Sequence, residues 1–322
     1  MTCHNCRVEM VKAVFYGKLK IQRYKCQQCG RRLSESQKKP FGADVRIPRE
    51  KVTMILHLLA EGSSMRSVAR VCGVDKRTVL TMLNLAGDAY ERFMPEHIRN
   101  VTVKNLEPDE CWTYVRIKEA HIDEDEINNP KIGSQFVYVA LCRDTKLVVA
   151  WHVGRRDRGN TEEFVEKIRH ATSAREFDIS TDAWGAYPFA IDLILRDRAN
   201  HTQVLKIFEG ENSEDRYAPG RFITVEKTPV LGNPDVGTAG TSRVERFNGS
   251  IRLWIRRMGR LTYAFSKKFE HLRAALALSF CFYNYCCVSE DVPKNGQKRL
   301  TPAQEAGLSD HVSTMEELVS TL

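Results

Sequence analysis

The carboxylates of this sequence are the residues whose placement could do chemistry. Asp109 and Glu110 lead the run Pro108-Asp-Glu-Cys-Trp112-Thr-Tyr-Val-Arg-Ile-Lys118, where Trp112, Tyr114, Val115 and Ile117 supply the aromatic and β-branched bulk of a strand. Asp182 closes a second strand-like run, Phe177-Asp-Ile-Ser-Thr181, and precedes a helix. Glu245 lies between Thr241 and Arg260, where Val244, Phe247, Ile251, Trp254 or Ile255 and Met258 recur at helical spacing. A carboxylate at the end of each of two strands and a third on a later helix can converge at one edge of a sheet. Asp109, Asp182 and Glu245 would then be the protein ligands of one or two magnesium (or manganese) ions, with water and phosphate oxygens in the other positions. Glu110 competes with Asp109 for the first position. Adjacent strand residues face opposite sides, so both are not expected to line one site.

The surroundings of Glu245 are basic: Arg243, Arg246, Arg252, Arg256, Arg257 and Arg260 share its stretch. On an ordinary solvated helix the signs alternate and each charge is paired three or four residues away. Here the cations exceed what one glutamate neutralises, which calls for an outside anion, and nucleic-acid phosphate is the usual one. The competing reading is a surface ion pair on a basic helix face. The chain as a whole carries a formal net charge of +8, which favours polyanion partners without choosing among them.

Cysteine spacing carries a second signal. Cys3-x-x-Cys6 and Cys26-x-x-Cys29 are two knuckles nineteen residues apart, and four thiolates complete the tetrahedron of zinc. Between them Phe15 to Tyr24 alternates like a hairpin, with Gly17 available for the turn, and Gly30 suits the end of a knuckle. This predicts a four-cysteine zinc ribbon over residues 1–48, linker included, with a basic surface at 12, 18, 20, 23, 25, 31 and 32. The competing reading is a set of buried or redox cysteines. Residues 34–48, with Pro40, Gly42 and Pro48, read as the linker.

Residues 49–100 read as helices. Val52, Ile55, Leu56 and Leu59 mark a first helix over 49–60, and Gly62-Ser-Ser64 breaks it and caps a second over 65–71. Cys72-Gly73-Val74 makes a tight turn, and Asp75 caps a third helix expected to end near Ala86, before a connecting helix interrupted at Pro95. Small Ala69 suits the close crossing of a helix-turn-helix, whose recognition helix would present Lys76, Arg77 and Thr78 to a DNA major groove. A plain helical hairpin is the alternative.

Taken together, Asp109-Glu-Cys-Trp112, Thr181-Asp-Ala-Trp184 with Tyr187, Thr241-Ser-Arg-Val-Glu-Arg-Phe-Asn248, Arg260-Leu-Thr-Tyr-Ala-Phe-Ser-Lys-Lys268, Tyr283-Asn-Tyr285 and Thr301-Pro-Ala303 with Ala306-Gly307 resemble the bacterial insertion-sequence transposases of the insertion-sequence-one family. The resemblance covers most of the chain. It implies an Asp-Asp-Glu triad on an α/β RNase H-like fold over 101–322, and it favours Asp109 over Glu110. After Tyr285 the chain reads Cys286-Cys-Val-Ser-Glu-Asp291, where the family tends to carry a basic residue and a histidine.

The segments after residue 101 fit that expectation: strands with a hairpin at Arg143-Asp144-Thr145, a helix over 160–170, a strand to Thr181, another helix, and a fifth strand over 201–208. Residues 209–240 sustain no period and read as an insertion before the last catalytic helix. A long helix with an apolar face comes next, from 265 to 287, its cysteines core filler. The polar first residues do not read as a secretory signal, and the longest apolar stretch is far short of the ~20 residues of a membrane span, so no membrane partner is expected. The expected protein is a cytoplasmic, nucleoid-associated prokaryotic transposase that binds double-stranded DNA at its element ends and its target as a homodimer or higher oligomer. Arg243, Arg246, Arg252, Arg256, Arg257, Lys267 and Lys268 would add DNA contacts. The alternative is a sequence-specific DNA-binding regulator or a weakened transposase derivative; an RNA-cleaving enzyme is disfavoured by the helix-turn-helix.

Overall fold

Few of the apolar residues around the four N-terminal cysteines are buried: Val8, Val11, Val14, Phe15 and Tyr16 are all exposed. The computed structural model describes residues 1–3, 5–16, 21–34, 45, 47–209, 221–288 and 299–322. It divides into two compact units, Met1–Arg49 and Glu50–Leu322. The first holds a small antiparallel sheet of β1 (Val11–Lys12), β2 (Arg23–Lys25) and β3 (Arg32–Ser34). Its buried side chains are Cys3, Met10 and Cys26, with Cys6, Tyr24 and Leu33 packed on them. Tyr16 bridges Ile21 across the expected hairpin. The turn at Gly17, the lysines at 18 and 20, and most of the expected 34–48 linker lie outside the described residues.

The second unit opens with α1 (Arg49–Ala60), which buries Val52, Ile55, Leu56 and Ala60. In α2 (Met65–Cys72) the Ser64 side chain accepts the Ser67 N–H, and Gly73 closes the helix at φ 60. This is the left-handed conformation that glycine adopts without steric cost. Asp75 then caps α3 by accepting the Arg77 N–H. The expected stop near Ala86 does not occur: α3 runs unbroken over Lys76–His97, with Pro95 in its last turn. Its buried stripe, Met82, Leu83, Ala86, Tyr90 and Met94, continues through that point along the later helix α7 (Phe269–Cys286). Gly87 permits the approach, since a Cβ there would sit 2.3 Å from Ala274. The helical segment therefore shares a core with the rest of the second unit.

That remainder is built on a six-stranded sheet in the order β6-β5-β4-β7-β8-β9. The strands are β4 (Asn105–Val115), β5 (Gly133–Cys142), β6 (Val148–Gly154), β7 (Phe177–Thr181), β8 (Ala199–Glu209) and β9 (Arg221–Leu231). β4, β5 and β6 pair antiparallel, β7 and β8 run parallel to β4, and β9 returns antiparallel to β8. Helices α4 (Arg158–Ala171) and α5 (Ala186–Leu195) connect the parallel strands; α6 (Ser242–Trp254), α7, α8 (Pro302–Glu305) and α9 (Met315–Ser320) complete the unit.

Two expectations need correction here. The 209–240 insertion holds a strand although it sustains no period: β9 extends the sheet from within it, and residues 210–220 lie outside the described residues. β9 is an edge strand exposed along most of its length, so neither face shows apolar alternation, and Pro229 is tolerated there. The Glu245 helix does not reach Arg260: α6 ends at Trp254, Ile255 is extended, and Arg256–Met258 form one 3-10 turn. Ile251, Ile255 and Met258 are buried in either geometry, so periodicity could not show the break.

Candidate active site

Asp109 and Glu110 lie inside β4 and not at its end, yet they stand at an opening in the sheet. β7 pairs with β4 only at Asn105 and Leu106, so one edge of β4 is free of β7 beyond that point. Asp182 follows the last residue of β7 at this fork. Ligand oxygens of Asp109, Glu110 and Asp182 all lie within 4.8 Å of one another.

This corrects the expectation that only one of the adjacent acids could serve the site. The two do face opposite sides: Asp109 meets Asn248 of α6, and Glu110 lies by Tyr187 of α5. Because Asp182 sits in the opening between the strands, it is reached from both faces.

The Asn248 amide donates to Asp109 Oδ2 at 2.8 Å. Burial pushes the Asp109 carboxyl up to about 6, and Asp182 and Glu245 add repulsion, against the pull of the Glu110 backbone N–H and the Asn248 amide. Burial likewise lifts Glu110 to about 7; Tyr187 and Arg156 oppose the rise, and the charge of Asp182 adds to it. The Glu110 side chain is 2% exposed. Its Oε1 and the neighbouring Tyr187 hydroxyl are both buried outside hydrogen-bond geometry. Arg156 bridges the opening, 3.2 Å from Glu110 and 3.1 Å from Asp182, with its guanidinium over the Trp184 ring. Asp182 Oδ1 accepts the Trp184 N–H at 3.0 Å, which fixes the carboxylate at the start of the turn.

Glu245 is outside this close cluster. It lines a cavity of about 330 Å³ together with Asp182, Arg156, Trp184, Lys206 and Thr241. Lys206 of β8 donates to both of its oxygens, and the Thr241 hydroxyl donates to Oε1 at 2.6 Å. The carboxylates at the fork, with a buried oxygen left orphaned, suit a hard divalent cation. In this structure Arg156 and Lys206 supply the balancing charge.

Several residues at the site were not singled out from the sequence. Glu107, 1% exposed, accepts the backbone N–H groups of Arg243 and Val244 at 2.9 and 3.1 Å, so it caps the helix bearing Glu245. Arg143 pairs with it at 2.7 Å. Asn248 had a local signal, a polar residue three positions after Glu245 on a face otherwise apolar. Tyr187, like Asn248, stands in the motifs that carry the resemblance but without an assigned role; Arg156 and Lys206 had no signal, because their partners are distant in sequence.

The four N-terminal sulfurs also lie within 4.8 Å of one another, Cys3 and Cys29 3.6 Å apart. The Arg31 backbone N–H and the neighbouring thiols lower Cys29 to about 7, which favours the thiolate. Four sulfur donors with almost no apolar core around them are compatible with zinc.

The proposed DNA contacts fall into two groups. Lys76 and Arg77 are exposed at the start of α3, Thr78 half-buried beside them, and Arg243, Arg246, Lys267 and Lys268 are exposed. By contrast, Arg252 donates to the carbonyls of Met258 and Trp112, Arg256 to that of Gly62, and Arg257 to Ser266 and Met65. The arginine excess around Glu245 is thus answered partly by carbonyls and a hydroxyl, a solution invisible to charge counting. Trp112 donates to Ser134 at 3.2 Å. The departure after Tyr285 falls partly outside the described residues, at 289–291. No helix among the described residues is long and apolar enough to cross a membrane.

No family model and no curated protein matches this sequence. Among solved structures, the chain is similar to one described as "Cryo-EM structure of piggyBac transposase synaptic complex with hairpin DNA (SNHP)", with 10% identity and a TM-score of 0.41 over 84% of this chain and 68% of that one.

Proposed function

We propose that this chain is a DNA transposase of the Asp-Asp-Glu type, similar to the insertion-sequence-one family, with an RNase H-like catalytic domain over 101–322. The observation that carries the reading is the fork between β4 and β7, where Asp109, Glu110 and Asp182 converge and Glu245 faces the cavity beside Asp182. The arrangement of hairpin strands, helix, parallel strand, helix and parallel strand supports the same domain type.

Asp109, Asp182 and Glu245 would hold magnesium or manganese, with Glu110 as a further ligand from the opposite face. The metal would supply an activated hydroxyl and charge stabilisation of the leaving oxygen. The chain's own part is to set those ligands. Asn248 orients Asp109, the Trp184 N–H orients Asp182, and Glu107 anchors the start of α6. Arg156 pairs with Glu110 and Asp182 and Lys206 pairs with Glu245, so each holds its carboxylates in place and would give way where a cation took over the charge balance.

Residues 1–48 form the zinc ribbon and linker in this reading, and 49–100 the helix-turn-helix with Lys76, Arg77 and Thr78 toward DNA. The substrates are element ends and target DNA, bound by a homodimer or higher oligomer in a prokaryotic cytoplasm, at the nucleoid. The test is nicking of a supercoiled plasmid by the full chain with magnesium and with chelator. Magnesium-dependent nicking lost in Asp182→Asn supports the reading. DNA binding without nicking under any divalent metal would replace it with a DNA-binding regulator.

A further inference from the structure

A second cavity, of about 780 Å³, lies at the other end of α6, among the α1–α2 turn, α3, Trp254–Arg257 and the segment before α7. Its charged lining has one sign: Arg66, Arg256, Arg257, Lys267 and Lys268, with His271, and no Asp or Glu. The innermost group is unusual. Arg257 is half-buried, its guanidinium donating to Ser266 Oγ at 3.1 Å and to Met65 Sδ at 3.2 Å, neither of which carries charge. Arg143, Arg156 and Arg273 of this unit are paired with carboxylates, and Arg198 and Arg252, without one, donate to two or more backbone carbonyls; Arg257 has only a hydroxyl and a thioether, weaker acceptors than either. Arg257 forms no ion pair among the described residues. A desolvated cation without a counter-charge is costly to keep, so its position beside an open cavity whose charged groups are all basic, on an otherwise largely apolar lining, points to an anion supplied from outside.

The mouth carries a tethered arginine and an exposed aromatic ring. Arg256 is tethered through Nε to the Gly62 carbonyl at 2.8 Å, and its terminal nitrogens have no partner among the described residues. Gly62 cannot be enlarged without collision, since a Cβ there would lie 2.8 Å from the Trp254 carbonyl oxygen. At the rim the Tyr263 ring is completely exposed, and an unsupported aromatic beside cations is a stacking platform for a base. From Glu245 to Trp254 is nine helical residues, roughly 14 Å along the axis.

We propose that this cavity binds a backbone phosphate of the DNA substrate, with Arg257 as the inner ligand, Arg256, Lys267 and Lys268 at the mouth, and Tyr263 stacking on an adjacent base. This inference rests on the DNA reading above but uses none of the carboxylates.

The experiment uses the full-length chain, a 30-base-pair duplex and a single-stranded oligonucleotide as probes, and inorganic phosphate as a separate arm. Lys267→Ala/Lys268→Ala is expected to weaken both DNA probes about tenfold and to reduce the salt slope by about one per lost phosphate contact. Tyr263→Ala should weaken the single strand more than the duplex. Arg257→Met is expected to raise Tm, because no carboxylate is orphaned, while lowering DNA affinity. A merely structural arginine would give lower Tm with unchanged affinity, and that overturns the proposal. Unchanged affinity and salt slope in the lysine variant also overturn it. Saturable inorganic phosphate binding, lost in Arg257→Met, with DNA affinity unaffected would reassign the pocket to a small anion and overturn the DNA form. Intact DNA binding that depends on these residues, without magnesium-dependent nicking, sinks the transposase reading and leaves the pocket standing.

Discussion

The side-chain amide of Asn248 donates to the Asp109 carboxylate at 2.8 Å, tying the helix that carries Glu245 to the strand that carries the first acid. The contact does two things. It fixes the direction of Asp109, and it favours the ionised form that a divalent cation needs. Asn248→Ala is therefore expected to raise the Asp109 pKa further and to weaken magnesium binding several-fold at neutral pH. A hydrogen bond to a charged group contributes about 1.5–3 kcal/mol, much of it here offset by the carboxyl staying neutral in the metal-free variant. Magnesium titration monitored by Tm would measure the effect, and an unchanged apparent Kd would show the amide to be a bystander.

A neighbouring contact is expected to matter more for folding. Glu107 is buried, paired with Arg143, and accepts two N–H groups at the start of α6. Glu107→Ala leaves Arg143 without its carboxylate and the helix start uncapped, at a cost of about 3–5 kcal/mol. Glu107→Gln keeps one acceptor and should lose less. Urea unfolding of the two variants would rank them, and equal loss would mean that charge, not capping, decides.

The fork also changes what an amide scan should find. Asp109→Asn, Asp182→Asn and Glu245→Gln should each abolish magnesium-dependent strand cleavage, since an amide keeps the shape but not the charge that holds a hard dication. From strand alternation alone Glu110→Gln would be mild. With its carboxylate inside the same 4.8 Å cluster, it should instead reduce magnesium affinity clearly. Wild-type affinity in Glu110→Gln would return Glu110 to a packing role beside Tyr187.

Residues with local signals were legible in the sequence: the cysteine knuckles, the caps at Ser64, Gly73 and Asp75, and the strands whose apolar residues face a core. What failed depended on the far side of each contact. β9 is exposed on both faces, so no alternation marks it. α6 stops at Trp254 although the apolar stripe continues, because Ile255 and Met258 stay buried through an extended residue and a 3-10 turn. Arg156 and Lys206 find their acids 26 and 39 residues away, a separation that no local pattern encodes. Asp109 and Glu110 face opposite sides as alternation requires, and only the early divergence of β7 lets Asp182 meet both.

The cysteine cluster gives an independent prediction. The N-terminal unit buries only Cys3, Met10 and Cys26 among its described hydrophobic side chains, so it lacks the core to hold its three short strands together without a crosslinking ion. Cys26→Ser in the full chain should lower bound zinc from one equivalent toward none, measured by elemental analysis. Limited proteolysis should then cut within the first 49 residues and leave the remainder intact. Undiminished zinc in Cys26→Ser would remove this cluster as the site.

The pH dependence of stability tests the charge state of the fork without any DNA. Burial raises Asp109 to about 6 and Glu110 to about 7 in the folded chain, above the ordinary carboxylate range near 4 that applies when unfolded. Between about pH 4 and 7 the folded state therefore holds more protons than the unfolded state, and stability falls as pH rises through that window. Above about pH 7 both acids are ionised in either state, and this contribution is flat. Magnesium competes for the same oxygens as the protons, so it should raise Tm strongly at pH 8 and little at pH 5.5. A cation at a hundred times its Kd would add about 2.7 kcal/mol. The double variant Asp109→Asn/Glu110→Gln should lose both the magnesium response and the fall in stability between pH 5 and 7. Calorimetry of the wild type and this variant, with magnesium and with chelator, decides the matter: a magnesium shift of Tm as large at pH 5.5 as at pH 8 would place the cation elsewhere.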